Sequence, residues 1–276
     1  MQNDQLIFSA SMLQDYVDCQ RRFELKYIQK QSWPSIPIEP VLALEELISR
    51  GRQFHFLVHQ LFTGIPLASI KNAINDTTLR EWFDRLILFY NGQAWKKNLS
   101  ELHIDSQLNQ YRLIAVYDLI VQTSDGKVAI YDWKTTLHPP KKAFLKMKMQ
   151  SVIYPFILFE NLNSLFPSEA IGDHSVISMN YWFPAFPENL ISYEYNKIIH
   201  QENRELLLNL LEEIHKKIKN GQFKKTDNVR LCKYCQYRSL CDRGVCAGMG
   251  DELSFDSASD EIIIDFDALP DMDADV

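Results

Sequence analysis

The sequence predicts an α/β (α+β) fold in which a mixed central sheet is flanked by helices, and three observations carry that expectation. Through the first hundred residues, apolar side chains recur at helical spacing. From about Glu101 the texture changes to short runs rich in β-branched and aromatic residues, two of them joined by a hairpin signal. Helical and strand-like stretches then alternate up to about residue 220. At 276 residues, 46% hydrophobic and 12% aromatic, the chain can bury a sizeable core.

Each element has its own warrant. "FSASMLQDYVDCQRRFELKYI" has serines where an N-cap belongs, and Leu13, Tyr16, Val17, Phe23 and Tyr27 define an apolar face, so it reads as one amphipathic helix ending near Lys30. After a proline-interrupted link, "LALEELISRGRQFHFLVHQLF" is a second helix, and "LREWFDRLILFYNGQAW" belongs to a helical insertion. "ELHIDSQL", "YRLIAVYDLIVQ" and "KVAIYDWKT" read as strands, the last two antiparallel across "TSDG". A helix around "AFLKMKMQSVIYPFILFE", strands at "HSVISMNYWF" and "LISYEYN", and a helix "RELLLNLLEEIHKKIKN" complete the body. Residues 1–250 are expected to form one unit, with a helical part at 1–98, the sheet at 99–196 and a helix with a cysteine-rich segment at 197–250.

The formal net charge of −7 is unevenly spread. From Asp251 onward there are ten acids and no Lys or Arg, which leaves +3 for residues 1–250. That tail reads as disordered, with "EIIIDF" its one sticky element, while the body is mildly basic. The start "MQNDQLIFSA" lacks the basic region and long apolar stretch of a signal peptide, and no apolar run is long enough to span a bilayer. The chain therefore reads as soluble, cytoplasmic and without a membrane partner. Thiols stay reduced in that compartment, so five cysteines, four of them between Cys232 and Cys246, point to metal ligation over disulfides.

In "AIYDWKTT" an acid and a base stand two apart within an apolar strand. Side chains alternate faces with period two, so Asp132 and Lys134 share one face while Tyr131, Trp133 and Thr135 take the other. A solvated edge strand with an i, i+2 ion pair would account for these residues alone. Asp118, in "AVYDLIV" on the preceding strand, reaches the same patch if the register permits. Two adjacent carboxylates repel unless one is protonated or a divalent cation lies between them, and hard oxygen donors suit Mg²⁺ or Mn²⁺. For Asp118 alone, an acid capped by backbone donors near a strand end is the plain alternative.

An acid on one strand, Asp-x-Lys on the next, and then Gln150 and Tyr154 four apart on a helix resemble the PD-(D/E)XK nuclease superfamily, and within it the RecB/AddB-like branch that includes CRISPR-adaptation exonucleases. "RGRQFHFLVHQLF" is similar to that branch's glycine-then-histidine helix, and the segment around Cys19 is similar to its serine, aromatic, cysteine and Arg-Arg-Phe helix. The likeness runs from about residue 9 to residue 243. It implies a restriction-endonuclease-like fold, with His55, Asp118, Asp132 and the backbone carbonyl of Trp133 on the metal. Lys134 would orient or deprotonate the attacking water, and Gln150 and Tyr154 would brace the lysine and the DNA strand. Ala115, Gln20 and Pro155 depart from the branch's pattern, and Pro155 is expected to kink the Gln150–Tyr154 face. His59, one turn beyond His55, also makes a two-histidine zinc site conceivable beside the simpler reading of an exposed histidine.

"CKYCQYRSLC" places Cys232, Cys235 and Cys241 in a C-x₂-C-x₅-C spacing. The fourth ligand would be Cys246 or Cys19, and four thiolates accept either zinc or an iron–sulfur cluster. The resemblance implies a [4Fe–4S] cluster held by Cys19, Cys232, Cys235 and Cys241, with Cys246 left over. Lys141, Lys142, Lys146 and Lys148 follow the catalytic strand and are placed for phosphate contacts, although a lysine-rich face is often merely solvated. The resulting expectation is a Mg²⁺- or Mn²⁺-dependent deoxyribonuclease, acting as an exonuclease or end- or flap-processing enzyme on single-stranded or end-containing DNA. Recombination, repair or CRISPR adaptation would be its setting, with a helicase or integrase as partner. A non-catalytic iron–sulfur scaffold is the competing class, and a zinc-stabilised interaction domain would leave the Asp-x-Lys constellation unexplained.

Overall fold

A computed structural model describes residues 6–31, 41–136, 140–167, 177–232 and 235–244. Cys246 and the acidic tail from Asp251, with its "EIIIDF", lie outside the described residues.

Serine caps the first helix as expected, Ser9 Oγ accepting the Met12 N–H at 3.1 Å. The single long helix does not form. α1 (Ala10–Asp18) stops at Cys19, whose backbone is extended (φ −161°, ψ 108°), and the chain resumes as α2 (Gln20–Phe23) and a π-helical turn (Glu24–Ile28). Asp15 bridges the break: Arg22 Nε and Lys26 Nζ reach its carboxylate at 2.8 and 3.1 Å, and Tyr27 donates to it at 2.9 Å. Leu13, Tyr16 and Phe23 of the expected apolar face are buried on either side of the break, whereas Val17 is exposed.

Three helices follow, α3 (Val41–Phe62), α4 (Leu67–Ala73) and α5 (Thr77–Asn91). The strands β2 (Trp95–Leu108), β3 (Tyr111–Thr123) and β4 (Val128–Trp133) come next, then α6 (Lys142–Lys146), α7 (Met149–Leu165), β5 (Ile177–Trp182), β6 (Ile191–Tyr195) and α8 (Lys197–Asn220). β2 begins before Glu101 because Trp95 packs against Phe62, Phe89 and Tyr131 and carries the strand back to the end of α5. α7 continues through Pro155, so Tyr154 keeps its place in the helix. The ring costs the helix one backbone donor, and Pro155 and its neighbours are buried.

β1 (Ile7–Phe8), too short to show a period, pairs in parallel with Arg112 and Leu113 of β3. β3 is antiparallel to β2 and β4, β4 is parallel to β5, and β5 is antiparallel to β6. β3 is thus shared: β2 follows it along its length, while β1 and β4 pair with its opposite ends. The sheet forks between Leu113 and Leu119, and Asp118 lies in the fork. One sheet face packs on α1, α7 and α8, and the other packs on α3 and α5 through Phe54, Trp82 and Phe83.

The inward parity of β2 and β3 reverses at this fork. Leu113, Ala115 and Tyr117 face the α7 side, yet beyond Asp118 it is Ile120 that does so, while Leu119 and Val121 turn to the α3 side. On β2, Leu102 and Ile104 pack with the α7-side core, and so does Leu99. The cross-strand pairs Leu102–Tyr117 and Leu99–Ile120 stay matched, so both strands carry one additional residue at the rung between them. There Glu101 adopts the left-handed region (φ 51°) opposite Asp118.

Phe54 is fully buried, meets Trp82 edge-on and stacks on Trp182, and it neighbours His55 on α3. Phe54→Ala is expected to lower unfolding free energy by about 3–5 kcal/mol in urea titrations. A loss below about 1 kcal/mol would contradict the view that this ring seats α3 on the sheet.

Candidate active site

The β3–β4 register places Asp132 opposite Asp118, one rung beyond the Leu119–Tyr131 pair. Asp118 Oδ2 accepts the Trp133 backbone N–H at 2.8 Å, tying the end of β4 across the fork, while Oδ1 lies 3.2 Å from His55 Nδ1. His55 Nε2 lies 2.9 Å from the Trp133 carbonyl oxygen. Both ring nitrogens therefore face acceptors, and an imidazole satisfies two acceptors only by carrying two protons. Burial disfavours the charged ring, but the Asp118 carboxylate outweighs it and, with Asp132 and Glu101, pushes the His55 pKa up to about 9. Burial likewise opposes ionisation of Asp118, and the His55 cation holds that carboxyl below its ordinary range.

Asp132 and Lys134 are both buried and point to the α7 side. Lys134 Nζ sits 3.0 Å from Asp132 Oδ2 and over the Tyr181 ring, and Gln150 Nε2 donates to Asp132 Oδ1 at 2.6 Å. Gln150 thus touches the acid, where the resemblance had it brace the lysine. Tyr154 lies deeper, 5% exposed, its ring against Tyr117 and its carbonyl accepting the Tyr117 hydroxyl at 2.8 Å. His59 is half-buried, not exposed, with Nδ1 2.8 Å from Ser100 Oγ. Sequence reasoning passed over Glu101. One ligand atom from each of His55, Glu101 and Asp118 lies within 4.8 Å of the others. Its one signal was its place at the start of the "ELHIDSQL" strand, and a cross-strand neighbour is found only once the register is known.

A second cluster sits where the N-terminal helices meet the segment after α8. Arg21 N–H donates to the Lys224 carbonyl at 3.0 Å and Tyr16 Oη to Glu213 at 2.8 Å, docking the N-terminal helices on α8 and the segment after it. Cys19, Cys232, Cys235 and Cys241 all line one small cavity there, none in a disulfide, among Arg22, Lys225, Arg238 and Arg243. Arg243 Nη1 lies 3.1 Å from Cys232 Sγ. Burial pushes the Cys235 and Cys241 thiols up. Lys141, Lys142 and Lys146 are exposed, and Lys142 and Lys148 lie over the Tyr193 and Phe144 rings.

A mixed sheet between two helical layers, with an acidic fork at its centre, is a restriction-endonuclease-like fold. The chain belongs to the PD-(D/E)XK nuclease superfamily, whose family profile matches residues 7–242. Among solved structures it is similar to a candidate exonuclease from Eubacterium rectale, with a TM-score of 0.51 and 10% identity over 80% of this chain and 85% of that one. SSO0001 is 15% identical over 87% of each chain with a TM-score of 0.38, too low to add to the fold assignment. No curated protein matches the chain. Among the described residues, no helix is long and apolar enough to cross a membrane.

The raised His55 pKa fixes a sign for stability in EDTA. A histidine favoured in its charged form stabilises the fold fully below its unfolded value of about 6.5, and the contribution is lost as pH rises through the folded value of about 9. The melting-temperature advantage of the wild type over His55→Gln should therefore shrink between pH 7 and pH 10. An advantage that grows over that range would contradict the His55–Asp118 ion pair.

Proposed function

We propose that the protein is a Mg²⁺- or Mn²⁺-dependent deoxyribonuclease of the RecB/AddB-like branch, hydrolysing phosphodiester bonds at single-stranded or end-containing DNA. One observation carries this reading: at the fork His55 reaches both Asp118 and the Trp133 carbonyl, beside a buried Asp132–Lys134 pair. Imidazole, carboxylate and carbonyl are a donor set for a divalent ion, and in the metal-free protein the two His55 protons hold the same donors together. His55, Asp118, Asp132 and the Trp133 carbonyl would hold the ion. Once bound, it supplies Lewis-acid polarisation of the phosphodiester and offsets the charge that develops on it.

The chain's own groups do the rest. Lys134 Nζ, fixed by Asp132, donates a hydrogen bond that orients the attacking water and offsets phosphate charge. Gln150 keeps Asp132 in its rotamer. Exposed Lys141 and Lys146 supply phosphate contacts along the approach to the site. An end- or flap-processing role beside a helicase or integrase, in recombination, repair or CRISPR adaptation, fits the branch resemblance.

Asp132→Asn and Lys134→Gln keep size and hydrogen bonding, and each is expected to lower Mn²⁺-dependent cleavage of labelled single-stranded DNA by at least about 100-fold with an unchanged near-ultraviolet circular dichroism spectrum. Wild-type rates in both variants, or no cleavage by the native protein with either metal, would leave the non-catalytic scaffold reading in its place.

The thiol cavity is read as a [4Fe–4S] clasp held by Cys19, Cys232, Cys235 and Cys241. Four thiolates accept either tetrahedral zinc or an iron–sulfur cluster, and the branch resemblance favours the cluster. The nearby arginines and Lys225 offset the negative charge of four thiolates. Anaerobically purified protein is expected to be brown with about four irons per chain, and Cys19→Ser to lose both colour and iron. Stoichiometric zinc in anaerobic preparations would contradict the cluster.

A further inference from the structure

We propose that Glu101 is a further ligand of the divalent ion, completing with His55 and Asp118 a cation position on the β2 side of the site. The inference rests on the reading of the fork as the metal site and concerns which side chains hold the ion there. Three features place Glu101 in that role. The β2–β3 register sets it directly across from Asp118, between the Ser100–Leu119 and Leu102–Tyr117 pairs. Its left-handed backbone belongs to the rung at which both strands reverse parity, so its side chain does not follow the alternation of its neighbours. One oxygen of Glu101, one of Asp118 and a ring nitrogen of His55 lie within 4.8 Å of one another, two of them hard anionic donors and the third an imidazole.

That spacing is close to what one ion requires. On an octahedral Mg²⁺ with bonds of about 2.1 Å, cis donors are about 3.0 Å apart and trans donors about 4.2 Å apart, and Mn²⁺ spans slightly more, so three ligands of one ion fall inside the 4.8 Å that bounds these atoms. Asp132, by contrast, is engaged on the α7 side by Lys134 and Gln150, and its carboxylate is not part of this cluster. Two carboxylates facing each other across adjacent strands repel unless positive charge lies between them. A divalent ion held between them would supply that charge. Glu101 would thus add a donor from the β2 side to those that His55, Asp118, Asp132 and the Trp133 carbonyl offer.

The test is Mn²⁺ binding to the full chain, followed by isothermal titration calorimetry and by loss of the free Mn²⁺ electron paramagnetic resonance signal. Glu101→Gln should weaken Mn²⁺ binding by about tenfold or more, since removing a ligand charge lowers affinity for a hard cation. Glu101→Asp, which keeps the charge on a shorter arm, should recover part of the loss, while Asp105→Asn, on the same strand but in an exposed pair with Arg112, should bind as the wild type does. Matching circular dichroism and melting curves in EDTA keep a folding defect from imitating the result. Equal Mn²⁺ affinity for wild type and Glu101→Gln would overturn the inference and leave the metal site standing. A wild-type protein that takes up no Mn²⁺ would overturn both.

Discussion

The site depends on how the Asp118 carboxylate is divided. One oxygen accepts the Trp133 N–H and fixes the end of β4, and the other holds His55 on α3. A single side chain thus joins two strands and a helix at the place where the sheet forks. Without that fork, a strand paired on both edges would leave Asp118 no backbone N–H to accept, since the ladder would already have used it. The gap between β1 and β4 along β3 makes the Trp133 amide available. His55 then closes the arrangement by spanning Asp118 and the Trp133 carbonyl.

Charge in this region is balanced locally. Asp118 and Glu101 meet the His55 cation on one side, and Asp132 meets Lys134 on the other. Buried charges are tolerated only when paired and hydrogen-bonded, and Gln150 and the Trp133 amide supply the additional bonds. The same economy recurs where Cys19 meets the C-terminal segment, with arginines and Lys225 around the four thiols and Arg243 touching Cys232. Both clusters join elements far apart in sequence, so each depends on the fold and in turn ties it together.

Most of the sheet and its helices was legible because residues such as Leu207, Leu211 and Ile214 on α8, or Val128 and Ile130 on β4, keep a clean period toward one core. His55, Asp118, Asp132, Lys134 and Gln150 were legible as a pattern of residue types in order along the chain. The missed features are those where period fails. Cys19 breaks a helix whose apolar face continues across the gap, and β1 is two residues long. Glu101 sits at a rung where two strands change parity together, so alternation read along either strand alone assigns the wrong face on one side of it. Pro155 sits inside a buried helix that continues past it despite one lost donor.

The central claim is that the fork centred on Asp118 is a divalent-metal site. Its most direct test is anomalous diffraction from crystals of the full chain soaked in Mn²⁺. The account predicts an anomalous peak at bonding distance, about 2.0–2.3 Å, from an Asp118 oxygen, with His55 turned from its proton-bearing contacts to face the ion. Full Mn²⁺ occupancy elsewhere on the protein, with none beside Asp118, would contradict it.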